Sequence, residues 1–258
     1  MAFAVLTRDP SDAQAYAAVL EPLGLEVVAM PVTRTAPAAD PEVLTRALDR
    51  ASYDAIVVAS ARAAQELARA VSALAASVRT TLPELPDVWA VGPATKRALK
   101  SAKLPAHVPP GVRDGAELAR ALVARGDVAG KRVLVPRAEE GRLDAVEILR
   151  AAGADVVEVV AYRTVAVAAD DPAIARGAEL LAAGEAAVCA LFAPSQVAAL
   201  AAILAARGTD LSSVSAKFCA IGETTAAAAR SAGIRDVAVA RAPTPEGMAQ
   251  AVTSVYPA

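Results

Sequence analysis

Apolar residues fall in short runs along this chain, and between the runs they recur every three or four positions. The runs are FAVLT, EVVAM, AIVVA and VWAV in the first half, and RVLVP, VVEVV, AVCALF and KFCAI in the second. Continuous runs, rather than alternation, mark strands buried on both faces, as in a parallel sheet. Most of the intervening stretches have helical periodicity. Alternating β and α elements predict a doubly wound parallel sheet with helices on both faces. Two segments break the alternation, MPVTRTAP (residues 30–37) and VAYRTVAV (residues 160–167). Each follows a strand directly. They predict either a small two-stranded ladder or two ordinary edge strands.

The pattern occurs twice. Residues 5–35 align with residues 133–164, matching Arg8 with Arg137, Gly24 with Gly153, Arg34 with Arg163 and Thr35 with Thr164. VVASARAAQELARAV aligns with ALFAPSQVAALAAIL. VWAVGPATKRALKSAKL aligns with KFCAIGETTAAAARSAGI, matching Gly92 with Gly222 and Thr95 with Thr225. The offset is close to half of the 258 residues, far too long for a solenoid, so it predicts two similar lobes from an internal duplication.

In open parallel sheets ligands bind beyond the carboxyl ends of the strands. The segments there are TRD, ASARA, GPAT, PRAEEGR, APSQ and GETT. Four of them open a helix with small or hydroxylic residues, offering free N–H groups at the positive end of a helix dipole. Ser60, Thr95, Ser195 and Thr224 are each open to two readings, helix cap or ligand contact. Arg8, Arg62 and Arg137 fall at strand ends, where a guanidinium fork can take a carboxylate or phosphate, or simply form a surface ion pair. Donors from both lobes predict a polyanionic ligand. Tyr162 is one of four tyrosines and lies in the second interrupting segment. It is either a half-buried strand residue or a proton donor.

Composition narrows the classes. Hydrophobic residues make up 55% and aromatics 3%, so the cores are aliphatic and alanine-rich. With 26 basic and 28 acidic residues there is no basic surplus for nucleic acid. Cys189 and Cys219 lie in strand-like runs and predict buried thiols in a reducing compartment. Two cysteines and the single His107 do not make a zinc cluster. No signal peptide or membrane-length apolar run is evident, and a cytoplasmic protein is expected. No G-x-G-x-x-G follows a strand, which argues against a dinucleotide.

The succession LTR, VVASARA, VWAVGPATKRAL, VLVPR, AYRT, LFAPSQV, KFCAIGETTAAAARSAGI and PTPEGMAQAV resembles the uroporphyrinogen-III synthase family over essentially the whole chain. The resemblance implies an α/β fold of two flavodoxin-like lobes joined by a two-stranded β ladder. One lobe would be residues 1–35 with 165–258 and the other 36–161, with connecting strands at about 31–37 and 160–167. It implies a cofactor-independent lyase that closes linear hydroxymethylbilane, with inversion of ring D and loss of water, to uroporphyrinogen III. The enzyme would hold the bilane folded by its carboxylates, with hinge-like lobe closure, because the unaided substrate closes to the wrong isomer. A monomer is expected, with a transient contact to the preceding pathway enzyme left open. By the resemblance Tyr162 assists departure of the hydroxyl. Ser60, Arg62, Thr95, Ser195, Lys217 and the segment of Gly222, Thr224 and Thr225 would contact substrate by the resemblance, and Arg8, Ala61, Gly92, Arg137 and Pro194 join them as substrate contacts from their places at the strand ends. The family often has a hydroxyl where this chain has Ala193, so backbone N–H groups would serve there. A two-lobe small-anion binding protein and a sugar-phosphate enzyme are the competing readings.

Overall fold

The computed structural model describes residues 2–77, 86–126 and 128–256. The chain forms two compact units, Met1–Arg34 with Val165–Ala258, and Thr35–Thr164. In the first unit the elements are β1 (Ala2–Leu6), α1 (Pro10–Leu20) and β2 (Leu25–Ala29), then α7 (Pro172–Ala182), β8 (Ala186–Leu191), α8 (Pro194–Ala206), β9 (Lys217–Ala220), α9 (Glu223–Ser231), β10 (Val237–Val239) and α10 (Pro245–Val255). The strands lie in the order β10-β9-β8-β1-β2, all parallel. Counted within the unit this is 2-1-3-4-5, the flavodoxin-like order.

The continuous apolar runs have a direct cause. Val5 faces one core with Ile174, Leu181 and Leu200, while its neighbours Ala4 and Leu6 face another with Tyr16, Leu20 and Met248. Successive side chains point to opposite faces, so a strand covered by helices on both sides must be apolar at every position. Cys189 and Cys219 are buried in these strands. Burial pushes the Cys219 thiol up to about 12.

The second unit contains β3 (Thr33–Pro37), α2 (Val43–Arg50), β4 (Ala55–Val58), α3 (Ala61–Ser77), β5 (Asp87–Ala90), α4 (Gly92–Ser101), α5 (Gly115–Ala124), β6 (Arg132–Ala138), α6 (Asp144–Ala151) and β7 (Asp155–Ala166). Its sheet order is β3-β7-β6-β4-β5. One core holds Leu44, Leu67 and Leu99, and the opposite one Leu118, Leu122 and Leu149. Beside β5 the position of a further parallel strand is reduced to one bridge, Trp89 to His107. Pro105, Pro109 and Pro110 surround it and supply no N–H for a ladder. The His107 ring stacks on Trp89, with Nε2 3.2 Å from Asp87.

The first sheet and the β7-β6-β4-β5 part of the second are parallel and covered by helices on both faces, the fold class the periodicity predicted. The interrupting segments depart from it in detail. In the second, VVEVV and VAYRTVAV are one strand, the twelve-residue β7. In the first, β2 and β3 stay separate across Met30–Pro31–Val32, because Pro31 cannot donate to a ladder. β3 lies at the edge of the second sheet, beside β7.

Candidate functional site at the strand ends

In the second unit, β4 and β6 are neighbours whose following helices leave to opposite faces, which opens a crevice beyond their carboxyl ends. A cavity of about 280 Å³ lies there, lined by Ser60, Arg113, Arg137, Arg142, Asp144 and Tyr162 among others. Ser60 precedes α3 and its Oγ accepts from the Ala63 N–H at 3.0 Å, so it caps the helix. The same Oγ is 3.1 Å from the Tyr162 hydroxyl.

Tyr162 reaches this point through a change of register. Val157, Val159 and Ala161 pack on the α3 side of the sheet, while Val156 packs on the other. Strict alternation would put Tyr162 with Val156. Between Arg137 and Ala138 the register slips, pairing Arg137 with Val160 but Ala138 with Tyr162. The extra residue turns Tyr162 toward the α3 side, where it packs against that core and bonds Ser60. Bulges re-aim side chains in this way next to active sites.

The arginines differ in availability. Arg137 donates to Glu158 at 2.8 Å through Nε, and through Nη1 to the carbonyls of Ala138 and Glu139 at 2.7 and 2.9 Å. The Arg137 bond, with help from Arg150, holds the Glu158 carboxyl below the usual glutamate range. Arg137 is therefore tied into the protein. Arg113 and Arg142 pair with Glu117 and Asp144 at 2.7 and 2.6 Å, but their side chains are 85% and 74% exposed, so these pairs open at little cost. Arg62 lies 3.2 Å from the buried Glu66, yet its Nε is buried with no hydrogen-bond partner. The Nε of Arg163, next to Tyr162, is in the same condition. Leaving such a donor unsatisfied costs about 1–3 kcal/mol, which an incoming acceptor would remove. The sequence put Arg163 in the repeat but not in the site, and Arg113 was not singled out. Their signals are the Arg-Thr pair shared with Arg34 and Thr35, and the position of Arg113 just before the Asp114 cap of α5.

Of the four hydroxyls with a capping reading, Ser60 alone caps. α4, α8 and α9 start at Val91, Ala193 and Gly222 without a side-chain cap. Thr95 and Thr225 are buried within the first turns of α4 and α9, at 4% and 3% exposure. Ala61 and Pro194 are the first residues of α3 and α8, followed directly by Arg62 and Ser195. Thr224 is exposed. Gly92 has φ +68°, a conformation that favours glycine, whereas its repeat partner Gly222 is extended.

In the first unit, Thr7 and Gln196 fasten the ends of β1 and β8. The Thr7 hydroxyl lies 3.0 Å from the Ala190 carbonyl and 2.7 Å from Gln196 Oε1, which also accepts from the Phe192 N–H at 3.0 Å. Arg8 follows, its guanidinium over the rings of Tyr16 and Phe192. Lys217 is separated from this group. It opens β9 at the amino end, while Gly222, Thr224 and Thr225 follow the carboxyl end, roughly 13 Å away at strand rise. It faces a different cavity, shared with Ser212, Arg230 and Arg235.

A family model described as Uroporphyrinogen-III synthase HemD matches residues 14–250. The chain belongs to this family. A search of curated proteins finds no match. Among solved structures, the chain is similar to a mutant uroporphyrinogen III synthase from the extreme thermophile Thermus thermophilus, at 24% identity and TM-score 0.56, covering 99% of this chain and 98% of that one. It is also similar to the uroporphyrinogen-III synthetase from Helicobacter pylori, at 16% identity and TM-score 0.58, covering 98% and 99%. At these identities the structures establish the shared two-lobe fold, and the family model establishes membership. Belonging to the uroporphyrinogen-III synthase family makes the chain an enzyme of tetrapyrrole biosynthesis. Among the described residues no His, Cys, Asp and Glu cluster could hold a metal ion, and no helix is long and apolar enough to cross a membrane.

Proposed function

We propose that the chain converts hydroxymethylbilane to uroporphyrinogen III as a cyclising hydro-lyase, with Tyr162 at the reacting end of the substrate. The observation that carries this is the Ser60–Tyr162 hydrogen bond of 3.1 Å at the cavity of the second unit. The terminal hydroxyl of the bilane leaves as water and takes up a proton on departure. A tyrosine hydroxyl held by a capping serine is oriented to donate to it. Ring inversion and closure then follow without any change of oxidation state. The reaction needs position more than acid strength, since the competing direct closure uses the same groups. Holding the chain in the productive fold is worth several kcal/mol by proximity alone.

The cavity is below the ~300–1,000 Å³ of sites that enclose a drug-sized ligand, so it takes one substituted pyrrole and not the whole bilane. The carboxylates on the remaining rings call for donors outside it. Arg62 and Arg163 have unsatisfied Nε groups, and Arg113 and Arg142 have exposed, exchangeable ion pairs. Within the first unit, Ser195 and the uncapped first turns of α8 and α9 present donors of their own.

The test is direct. Hydroxymethylbilane is generated in situ, the products are oxidised, and the isomers are separated. The type III isomer is expected to dominate; type I alone would remove the enzymatic reading.

A further inference from the structure

The duplication places an arginine at the end of the first strand of each repeat, Arg8 and Arg137, and the structure gives the two different fates. In β7, Glu158 pairs in register with Val135 and takes the Arg137 guanidinium. The equivalent position in β2 pairs with Leu6 and is Ala29. Arg8 thus has no carboxylate where Arg137 has one, and it makes no ion pair among the described residues. Its guanidinium carbon sits 4.5 Å from the Phe192 ring centroid and 5.1 Å from that of Tyr16. The two rings meet edge to face, with centroids 4.8 Å apart. Tyr16 is 6% exposed and fixed in the core. Phe192 is fixed by its own N–H, which donates to Gln196.

Stacking occupies the face of a guanidinium and leaves its N–H edge for an acceptor. A plane held by two rings also has less freedom to lose when it takes a carboxylate. We infer that Arg8 is the guanidinium with which the first unit binds a substrate carboxylate, and that Phe192 and Tyr16 are the residues that position it. The inference rests on the polycarboxylate substrate proposed above. Arg137, its repeat partner, is left with a structural role.

Steady-state kinetics with hydroxymethylbilane generated in situ test this. Arg8→Gln is expected to raise KM about tenfold with kcat nearly unchanged, the signature of lost uniform binding. Phe192→Leu keeps the charge but removes one ring, and raises KM about threefold; Phe192→Tyr restores the ring and the wild-type KM. In the Arg8→Gln background, Phe192→Leu has no further effect, because the ring acts only through the arginine. Arg176 is the control, since it stacks 5.1 Å from Phe3 elsewhere on the unit, and Arg176→Ala leaves KM unchanged. If Phe192→Leu does not fold, Phe192→Met takes its place in the cycle. An unchanged KM for Arg8→Gln, or additive effects of the two substitutions, overturns the inference while the wild type still makes the type III isomer. A wild type that makes none overturns the proposed function as well.

Discussion

Tyr162 shows how a single hydroxyl can be separated from the side chain that carries it. Its ring packs against the core of the second unit, and only the hydroxyl bonds Ser60. Tyr162→Phe keeps the packing and removes one hydrogen bond, worth about 1 kcal/mol of stability. The expected result is a small fall in the urea midpoint and a drop of roughly tenfold or more in kcat, since general acid assistance contributes at least that much. Unchanged kcat would leave Tyr162 a strand residue. Glu158 gives a second test at this scale. Its folded pKa is depressed, so it contributes stability that is present above the ordinary glutamate value of about 4.3 and is lost as pH falls through the lower folded value. Glu158→Gln should lower stability at neutral pH and flatten the acid limb between those two values, read from urea midpoints across that range. The candidate positions Ser60 and Arg8 were legible in the sequence because strand ends and helix starts are marked by pattern, whereas Tyr162 was picked out by the scarcity of tyrosine and its place in an interrupting segment. The contrast between Arg8 and Arg137 was not, since it depends on Ala29 or Glu158 in a neighbouring strand.

The start of α10 shows an element specified by local chemistry. In PTPEG, Thr244 is the cap and accepts from the Gly247 N–H at 3.1 Å, Pro245 takes the first helical position, and Glu246 lies in the first turn. Gly247 is required for a different reason. A Cβ there would meet the Ala242 carbonyl oxygen at 2.2 Å, and backbone cannot move aside as a flexible side chain can. Met248 and Val252 then bury completely against the sheet. Gly247→Ala should cost roughly 2–3 kcal/mol through overpacking, and Thr244→Ala about 1 kcal/mol through loss of the cap. Thermal unfolding of both variants checks the order, and a Gly247→Ala protein as stable as wild type would contradict the close contact. The fusion of VVEVV and VAYRTVAV into β7 was not readable from the sequence, because a bulge restores a strand where alternation alone shows a break.

At the scale of the whole molecule, periodicity assigns each element its buried faces but not its sheet. The repeat offset announced two similar lobes, yet each sheet takes strands from both halves of the repeat. β1 and β2 join β8, β9 and β10, while β6 and β7 join β4 and β5. That exchange entered through the family resemblance and has no signal in composition or spacing, because parallel strands of equal hydrophobicity can pair in either arrangement. It has a consequence for folding. All strands of the second sheet and both of its cores fall within residues 33–166, a continuous stretch. A fragment of those residues has a complete sheet, helices on both faces and the size of an ordinary domain, so it should unfold cooperatively in urea with m of about 1–3 kcal/mol/M. Residues 167–258 alone should not. They lack β1, which sits between β8 and β2 and buries Ala4, Val5 and Leu6 completely. Adding residues 1–32 in trans is expected to restore far-UV helicity and a cooperative transition. A 33–166 fragment without a transition, or a cooperative 167–258 fragment, would show that the exchanged strands are not what completes each sheet.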